Sequence, residues 1–302
     1  MILIDIEPLN RERMEIKLYR IISKTELAEY TVQFDIEAPE VAKKARPGQF
    51  VVVRIDEKGE RIPLTIADTD TGKGTVTIVV QSVGKTTGQL CSMEAGGTIR
   101  DFAGPLGNPT EMVENSTVVC IGGGLGIAPV YPIAKELKSR GNRVLSIMGA
   151  RSEPFLFWED RMRKASDEVY IATDDGSKGK KGFVTDALLD IINSGVKVDR
   201  VIAIGPTIMM KNVAKTTKPY NIKTIVSLNP IMVDGTGMCG SCRVTVGGKM
   251  KFSCVDGPEF DGHEVDFDEL MARQKFYRTE EKDAMDKYTH EGGECKCLPT
   301  RS

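Results

Sequence analysis

Near residue 115 the apolar residues of this 302-residue chain change their period, and that change constrains the fold more than any single motif. Before it the chain reads as short strands: IKLYRII and YTVQFDI within residues 15–37, then GQFVVVRID, RIPLTIA and TVTIVVQSV. In the last of these, Val76, Ile78 and Val80 share one face, with Thr75, Thr77 and Val79 on the other, which is the period of a strand. Turns divide the runs, DEKG at 56–59 and DTGKG at 70–74. Short strands at this spacing predict a small antiparallel β barrel. Beyond residue 115, strand-like runs alternate with helical patterns: TVVCIGG, APVYPIAKELKSRG, RVLSIMGA, a helix containing Trp158, EVYIATDDG, FVTDALLDIINSG, RVIAIGPTIMM and KTIVSLN. This βαβ series predicts an α/β unit, a parallel sheet with helices on its faces. A Gly- and Cys-rich stretch follows at 230–257, then the charged and helical EVDFDELMARQKFYRTEEKDAMDKY and a loose tail, THEGGECKCLPTRS. The expected division is a barrel over 1–110, an α/β domain over 111–229, a small cysteine module over 230–270 and a charged extension over 271–302.

Charge and composition narrow the partners. Basic and acidic residues nearly cancel, 41 against 43, and aromatics make up 6%, so neither a nucleic acid nor a membrane surface is expected to bind. The opening MILIDIEPLNRERM lacks a basic segment followed by an apolar one. No run reaches the roughly 18 apolar residues that cross a bilayer, so the expected location is cytoplasmic. Seven cysteines do not close a disulfide framework, and three of them cluster at metal-ligand spacing.

Four stretches are candidates for chemistry. Asp234, Cys239, Cys242 and Cys254 stand as D-x4-C-x2-C-x11-C, the plant-type 2Fe–2S layout with aspartate in place of the first cysteine. Gly235, Gly237 and Gly240 between them let backbone approach inorganic sulfide. A zinc knuckle is the alternative, although zinc sites usually pair two short chelating units and only one C-x2-C is present. Asp234 as a simple turn residue is the other. The run Gly122 to Pro129, GGGLGIAP, is a glycine-rich strand-to-helix turn of the kind that brings N–H groups against a pyrophosphate; a tight turn without a ligand reads the same way. Arg61-Ile62-Pro63-Leu64-Thr65 places a cation and a hydroxyl on one strand, where they could meet a phosphate and a flavin ring, although any strand can carry both. Gly84-Lys85-Thr86-Thr87 is a second candidate phosphate turn or a plain loop.

Taken in order, R-x-P-L-T, G-x-x-T, GGGLGIAP, Thr173 to Ser177 and the cysteine module resemble the ferredoxin–NADP+ reductase-like flavoprotein superfamily over roughly residues 10–270. The resemblance is closest to the branch holding the electron-transfer subunit of dihydroorotate dehydrogenase and the small subunit of NADH-dependent reduced ferredoxin:NADP+ oxidoreductase. It implies FAD on the barrel, with Arg61, Pro63, Leu64 and Thr65 around its pyrophosphate and ring and Gly84, Thr86 and Thr87 at the phosphates. It implies NAD(H) over Gly124, Gly126, Ile127 and Pro129, with Asp175 and Gly176 at a neighbouring strand end. Many superfamily members carry an aromatic residue where Leu64 stands. The dihydroorotate subunits use four cysteines, whereas Asp234 resembles the ferredoxin:NADP+ and sulfide dehydrogenase small subunits.

The implied activity is an oxidoreductase subunit in which a flavin takes hydride from NADH and a cluster passes electrons singly. The expected partner is a larger flavoprotein/iron–sulfur subunit, through which ferredoxin is reached, in an electron-bifurcating complex. Alternatives are a dihydroorotate dehydrogenase catalytic subunit, sulfide or polysulfide chemistry, or, from another class, a zinc-stabilised binding module. NAD is expected over NADP because a basic pair for a 2′-phosphate is missing, although Arg151 could serve as one. No catalytic acid, base or nucleophile is expected. Cys120, Met209 and Met210 read as packing, Cys91 as core or surface, and Cys295 and Cys297 as a thiol tail; His263 and His290 are not expected to be catalytic.

Overall fold

A computed structural model describes residues 17–290; Cys295, Cys297 and the first sixteen residues lie outside the described part, as does the side chain of His290. The first half comprises β1 (Tyr19–Ala28), β2 (Thr31–Glu37), α1 (Pro39–Lys44), β3 (Phe50–Arg54), β4 (Ile62–Asp70), β5 (Thr75–Gln81), α2 (Lys85–Ser92), β6 (Thr98–Ile99) and β7 (Asp101–Leu106). Its strands form one sheet in the order β6-β1-β2-β5-β4-β3-β7, antiparallel throughout. The two end strands are consecutive in the chain with Arg100 between them, so the sheet curls into a nearly closed barrel. Inside it lie Ile21, Phe34, Ile36, Val51, Val53, Ile66, Ile78 and Phe102, all buried.

The second half contains β8 (Thr117–Gly123), α3 (Ile127–Ser139), β9 (Arg143–Ala150), α4 (Glu159–Ala165), β10 (Glu168–Thr173), β11 (Lys180–Lys181), α5 (Val184–Asn193), β12 (Arg200–Ile204), α6 (Thr207–Thr217) and β13 (Lys223–Ser227). The remainder adds β14 (Arg243–Val246), β15 (Lys249–Phe252), α7 (Ser253–Asp256), β16 (Glu259–Asp261), α8 (Phe267–Arg273) and α9 (Arg278–His290). The second sheet runs β11-β10-β9-β8-β12-β13-β16, parallel except for β16, which pairs antiparallel with β13 through Ser227↔Glu259 and Val226↔Phe260. Strand order reverses between β8 and β12, which opens a crevice beyond their carboxyl ends.

Both faces of β5 are buried. Val76, Ile78 and Val80 enter the barrel core, while Val79, with Ala67 of β4, joins Ile127, Val130 and Ile133 of α3 in a second apolar layer that fastens the barrel to the parallel sheet. Trp158 is not inside a helix as expected. It precedes α4 with a left-handed backbone, φ +59°, and its ring supports the Arg161 guanidinium at 4.5 Å. No described helix is long and apolar enough to cross a membrane.

Candidate functional site

The β3–β4 register decides which expected flavin contacts are available. Its pairs are Phe50↔Thr65, Val51↔Leu64, Val52↔Pro63 and Val53↔Ile62. Directly opposed residues share a sheet face, and Val51, Val53 and Leu64 pack in the barrel core. Pro63 and Thr65 therefore stand outside beside Val52 and Phe50, and alternation puts Arg61 on the same side. The side chain of Leu64 is taken inside, so only its backbone can face a ring. Arg61 is exposed and lines an open cleft of ≈ 640 Å³ with Arg54, Arg100 and Asp234. Arg54 pairs with Asp101, and Arg100 pairs with Glu57 at 2.8 Å. That leaves the Arg61 guanidinium uncommitted among the described residues and able to take a phosphate in its planar fork.

Gly84 precedes α2 in an extended conformation. The hydroxyls behind it serve the loop itself. Thr87 Oγ1 accepts the N–H groups of Val83 and Gly84, each at 3.0 Å, and Thr86, buried, donates to Glu60. What the turn can offer an anion is the first-turn backbone of α2 rather than the threonine side chains.

The glycine-rich turn sits at the carboxyl end of β8, on the crevice between β8 and β12. Its glycines differ in purpose. Gly124, φ +55°, faces open space, whereas a Cβ on Gly126 would collide with the Ile204 carbonyl of β12. Gly126 thus lets α3 approach the neighbouring strand. Ile127 is fully buried in the layer under α3, and its N–H is already bonded to the carbonyls of Gly124 and Leu125, so it anchors the turn. Pro129 occupies the first turn of α3, where a missing N–H costs nothing. Across the crevice, Gly205 and Pro206 close β12, and a Cβ on Gly205 would lie 3.0 Å from the Gly123 carbonyl and 2.8 Å from Met209 Cε. Sequence reasoning assigned Met209 to packing and passed over Gly205. The Gly-Pro pair ending the run RVIAIGP was the signal that could have found this second wall.

Asp175 and Gly176 lie just beyond β10. The Asp175 N–H donates to the Arg151 carbonyl at 3.2 Å, which joins this loop to the end of β9. The hydroxyl and N–H of Ser177, at 2.7 and 2.9 Å from Asp175 Oδ1, hold that carboxyl below the usual carboxylate range. The loop bonded to the carbonyl of Arg151, the residue considered for a 2′-phosphate, thus carries a negative group.

The cysteine loop lies against the outer barrel face. Phe50 and Val52 pack in one cluster with Met232, Cys242 and Cys254, flanked by Leu106 and Phe252. Gly235, φ +76°, is needed there, because a Cβ would stand 2.9 Å from both Val52 Cγ2 and Leu106 Cδ1. Cys242 and Cys254 are buried with their sulfurs 3.2 Å apart, whereas Cys239 is exposed. Asp234 holds the loop together: its carboxylate accepts the N–H groups of Thr236 at 2.9 Å and Cys239 at 3.0 Å, which lower its pKa. Ser241, 3.4 Å from Cys239 Sγ, lowers that thiol's pKa, while burial, followed by the Cys242 contact, pushes Cys254 up to about 12.

Among the described residues no three candidate ligands gather around one point, as a tetrahedral zinc site would need. Two buried thiols side by side, with an exposed thiol and a carboxylate one loop turn away, instead suit two metal ions sharing a spread donor set. The hydroxyl of Ser253, the residue before Cys254, is buried and without a partner among the described residues, and it too calls for a polar group nearby. The residues fit a 2Fe–2S cluster.

Comparison with known proteins agrees with this geometry. Residues 229–266 match the iron-sulfur cluster binding domain of dihydroorotate dehydrogenase B, and residues 120–215 match an oxidoreductase NAD-binding domain. The dihydroorotate dehydrogenase B (NAD(+)) electron transfer subunit homolog of Thermotoga maritima is 51% identical over 277 residues, which is 92% of this chain and 98% of that one. The electron transfer subunit of dihydroorotate dehydrogenase B from Geobacillus kaustophilus is 35% identical, covering 85% and 99%. The solved structure of the NADH-dependent reduced ferredoxin-NADP oxidoreductase, reported for its insights into flavin-based electron bifurcation, has a chain 48% identical with a TM-score of 0.86, covering 90% and 98%. The matches agree with the cofactors the sequence implied: the chain has an iron–sulfur cluster binding domain and an NAD-binding domain, on a ferredoxin–NADP+ reductase-like fold shared with a chain of a flavin-based oxidoreductase. The chain belongs to the family of dihydroorotate dehydrogenase B electron-transfer subunits and their homologues, and is an oxidoreductase subunit.

Proposed function

We propose that this chain is the small subunit of an electron-bifurcating NADH-dependent ferredoxin:NADP+ oxidoreductase, working with a larger flavoprotein/iron–sulfur subunit through which ferredoxin is reached. The observation that carries the reading is the shared barrel face. Pro63 and Thr65, where the flavin is expected, are opposed across one strand spacing to Val52 and Phe50, which pack on the cluster thiols. Neighbouring strands lie about 4.8 Å apart, so the two redox sites are held close by register alone. FAD, when bound, exchanges hydride with the nicotinamide and single electrons with the cluster, which converts between the two kinds of carrier.

The chain's own residues position and exclude. Arg61 supplies a cation for the flavin pyrophosphate, and Thr65 a hydroxyl at the ring. Gly124, with the first turn of α3, receives the nicotinamide pyrophosphate, while Gly126 keeps that turn close to β12. Asp175 and Gly176 border the same carboxyl edge. Asp234, Cys239, Cys242 and Cys254 would hold the cluster, with Phe50 and Val52 keeping water from its barrel side. Aspartate at 234, together with the 48% identity to the ferredoxin-NADP oxidoreductase chain, supports this partner over others.

The test is anaerobic purification of the native complex, with FAD and iron measured per chain. Coupled reduction of ferredoxin and NAD+ by NADPH is expected; no coupling among the three carriers would defeat the reading. A dihydroorotate dehydrogenase partner is the second reading, favoured by the Geobacillus relative. Copurified orotate-forming activity dependent on NAD+ would establish it instead.

A further inference from the structure

Ser253 is fully buried, and its Oγ has no hydrogen-bond partner among the described residues. A hydroxyl taken out of water and left unpaired is costly enough that native structures seldom keep one. Its surroundings narrow what the partner can be. The β14–β15 hairpin pairs Arg243 with Phe252, and the Ser253 N–H continues the ladder to the Cys242 carbonyl at 3.1 Å. Ser253 therefore sits opposite Cys242 at the end of the hairpin, and it precedes Cys254 in the chain. The surroundings of the two neighbouring thiols, Cys242 and Cys254, are apolar, built by Phe50, Val52, Met232, Leu106 and Phe252. The two thiols lie against each other, and neither takes the serine proton.

We propose that the Ser253 hydroxyl donates a hydrogen bond to a sulfur of the bound 2Fe–2S cluster and so raises the cluster's reduction potential. The inference rests on the cluster reading above and adds a tuning residue that is not a ligand. Reduction places extra negative charge on cluster sulfur, and a donor facing that sulfur favours the reduced form. In a pocket this apolar the bond acts at low local dielectric, where it is stronger than in water. Ser253 is thus a positioning residue for charge: it touches the cluster without holding it, and it makes electron arrival from the flavin easier.

The experiment uses the full-length chain, reconstituted anaerobically with FAD and iron, and follows the reduced-cluster EPR signal during a potentiometric titration. Two irons per wild-type chain with a reduced 2Fe–2S signal is the entry condition; their absence would defeat the cluster reading itself and be recognised as such. Ser253→Ala at wild-type iron content is expected to lower the midpoint by about tenfold in the reduced-to-oxidised ratio, 59 mV for one electron. Ser253→Thr, which keeps the hydroxyl, is expected to stay near wild type. An alanine variant titrating at the wild-type midpoint would overturn the proposal. Should the alanine variant lose its iron, the threonine variant decides: retained iron and midpoint uphold the hydroxyl's role, and loss of either refutes it.

Discussion

Glu259 should cost this protein stability as the pH rises through neutrality. Its carboxylate on β16 accepts a hydrogen bond from Thr110 Oγ1 at 2.7 Å, and burial pushes its pKa from 4.5 up to about 7 against the opposing pull of Thr110 and Arg200. The site is where three segments meet, since a Cβ on Gly48 would stand 3.0 Å from Glu259 Oε1. In the unfolded chain the group ionises at its ordinary value. The stabilisation from a protonated Glu259 is therefore fully present below about pH 4.5 and is lost as the pH rises through about 7. The gap between those values corresponds to about 3.4 kcal/mol at most. Glu259 is only half-buried, and its remaining exposure reduces this to about 1–2 kcal/mol. Glu259→Gln keeps an acceptor for Thr110 and removes the titration. Urea unfolding of both proteins at pH 5 and pH 8 measures the effect: the variant is expected to gain about 1–2 kcal/mol on wild type between the two. Parallel pH dependence in the two proteins would refute the reasoning.

Three further outcomes are expected. Gly126→Ala forces a methyl into the Ile204 carbonyl and should cost about 3 kcal/mol together with measurable loss of NADH binding by fluorescence titration. Gly235→Val combines φ +76° with contacts at 2.9 Å to Val52 and Leu106; it should lift the cysteine loop off the barrel and lower iron content per chain while the far-UV circular dichroism persists. Arg61→Ala removes a charge-assisted bond worth about 1.5–3 kcal/mol, so FAD retained after gel filtration should fall by an order of magnitude or more, with iron unchanged.

The two architectures were legible because burial leaves different periods in barrel strands and βαβ units. Elements set by tertiary contact were not. β6 is two residues long, and it exists because β1 offers Arg20 and Tyr19 as partners. Trp158 looked helical by composition, yet its left-handed backbone starts the turn before α4. In the candidate site, the cysteine spacing and the glycine turn announced themselves locally. The inward turn of Leu64 did not, because only pairing with Val51 decides which face of β4 it takes. Ser253 was invisible for a similar reason: a serine beside a cysteine means little until folding bonds its N–H to the Cys242 carbonyl and buries its hydroxyl. Gly126, expected at the nucleotide, is also a spacing device between α3 and β12, which the sequence did not show.

The antiparallel strand β16 settles a problem that every open sheet faces. Without it, β13 would end the sheet with a row of unpaired backbone donors and acceptors, a template for pairing with another chain. Glu259, Phe260 and Asp261 cover that row, contributed by the segment shortly after Cys254. At the opposite edge, β11 is two residues long, and both are lysines, a short and charged border that discourages strand addition. The cysteine segment is therefore also a guard against self-association. A chain cut ahead of Glu259 would keep its cysteines but bare a sticky margin on β13, so aggregation should follow the cut.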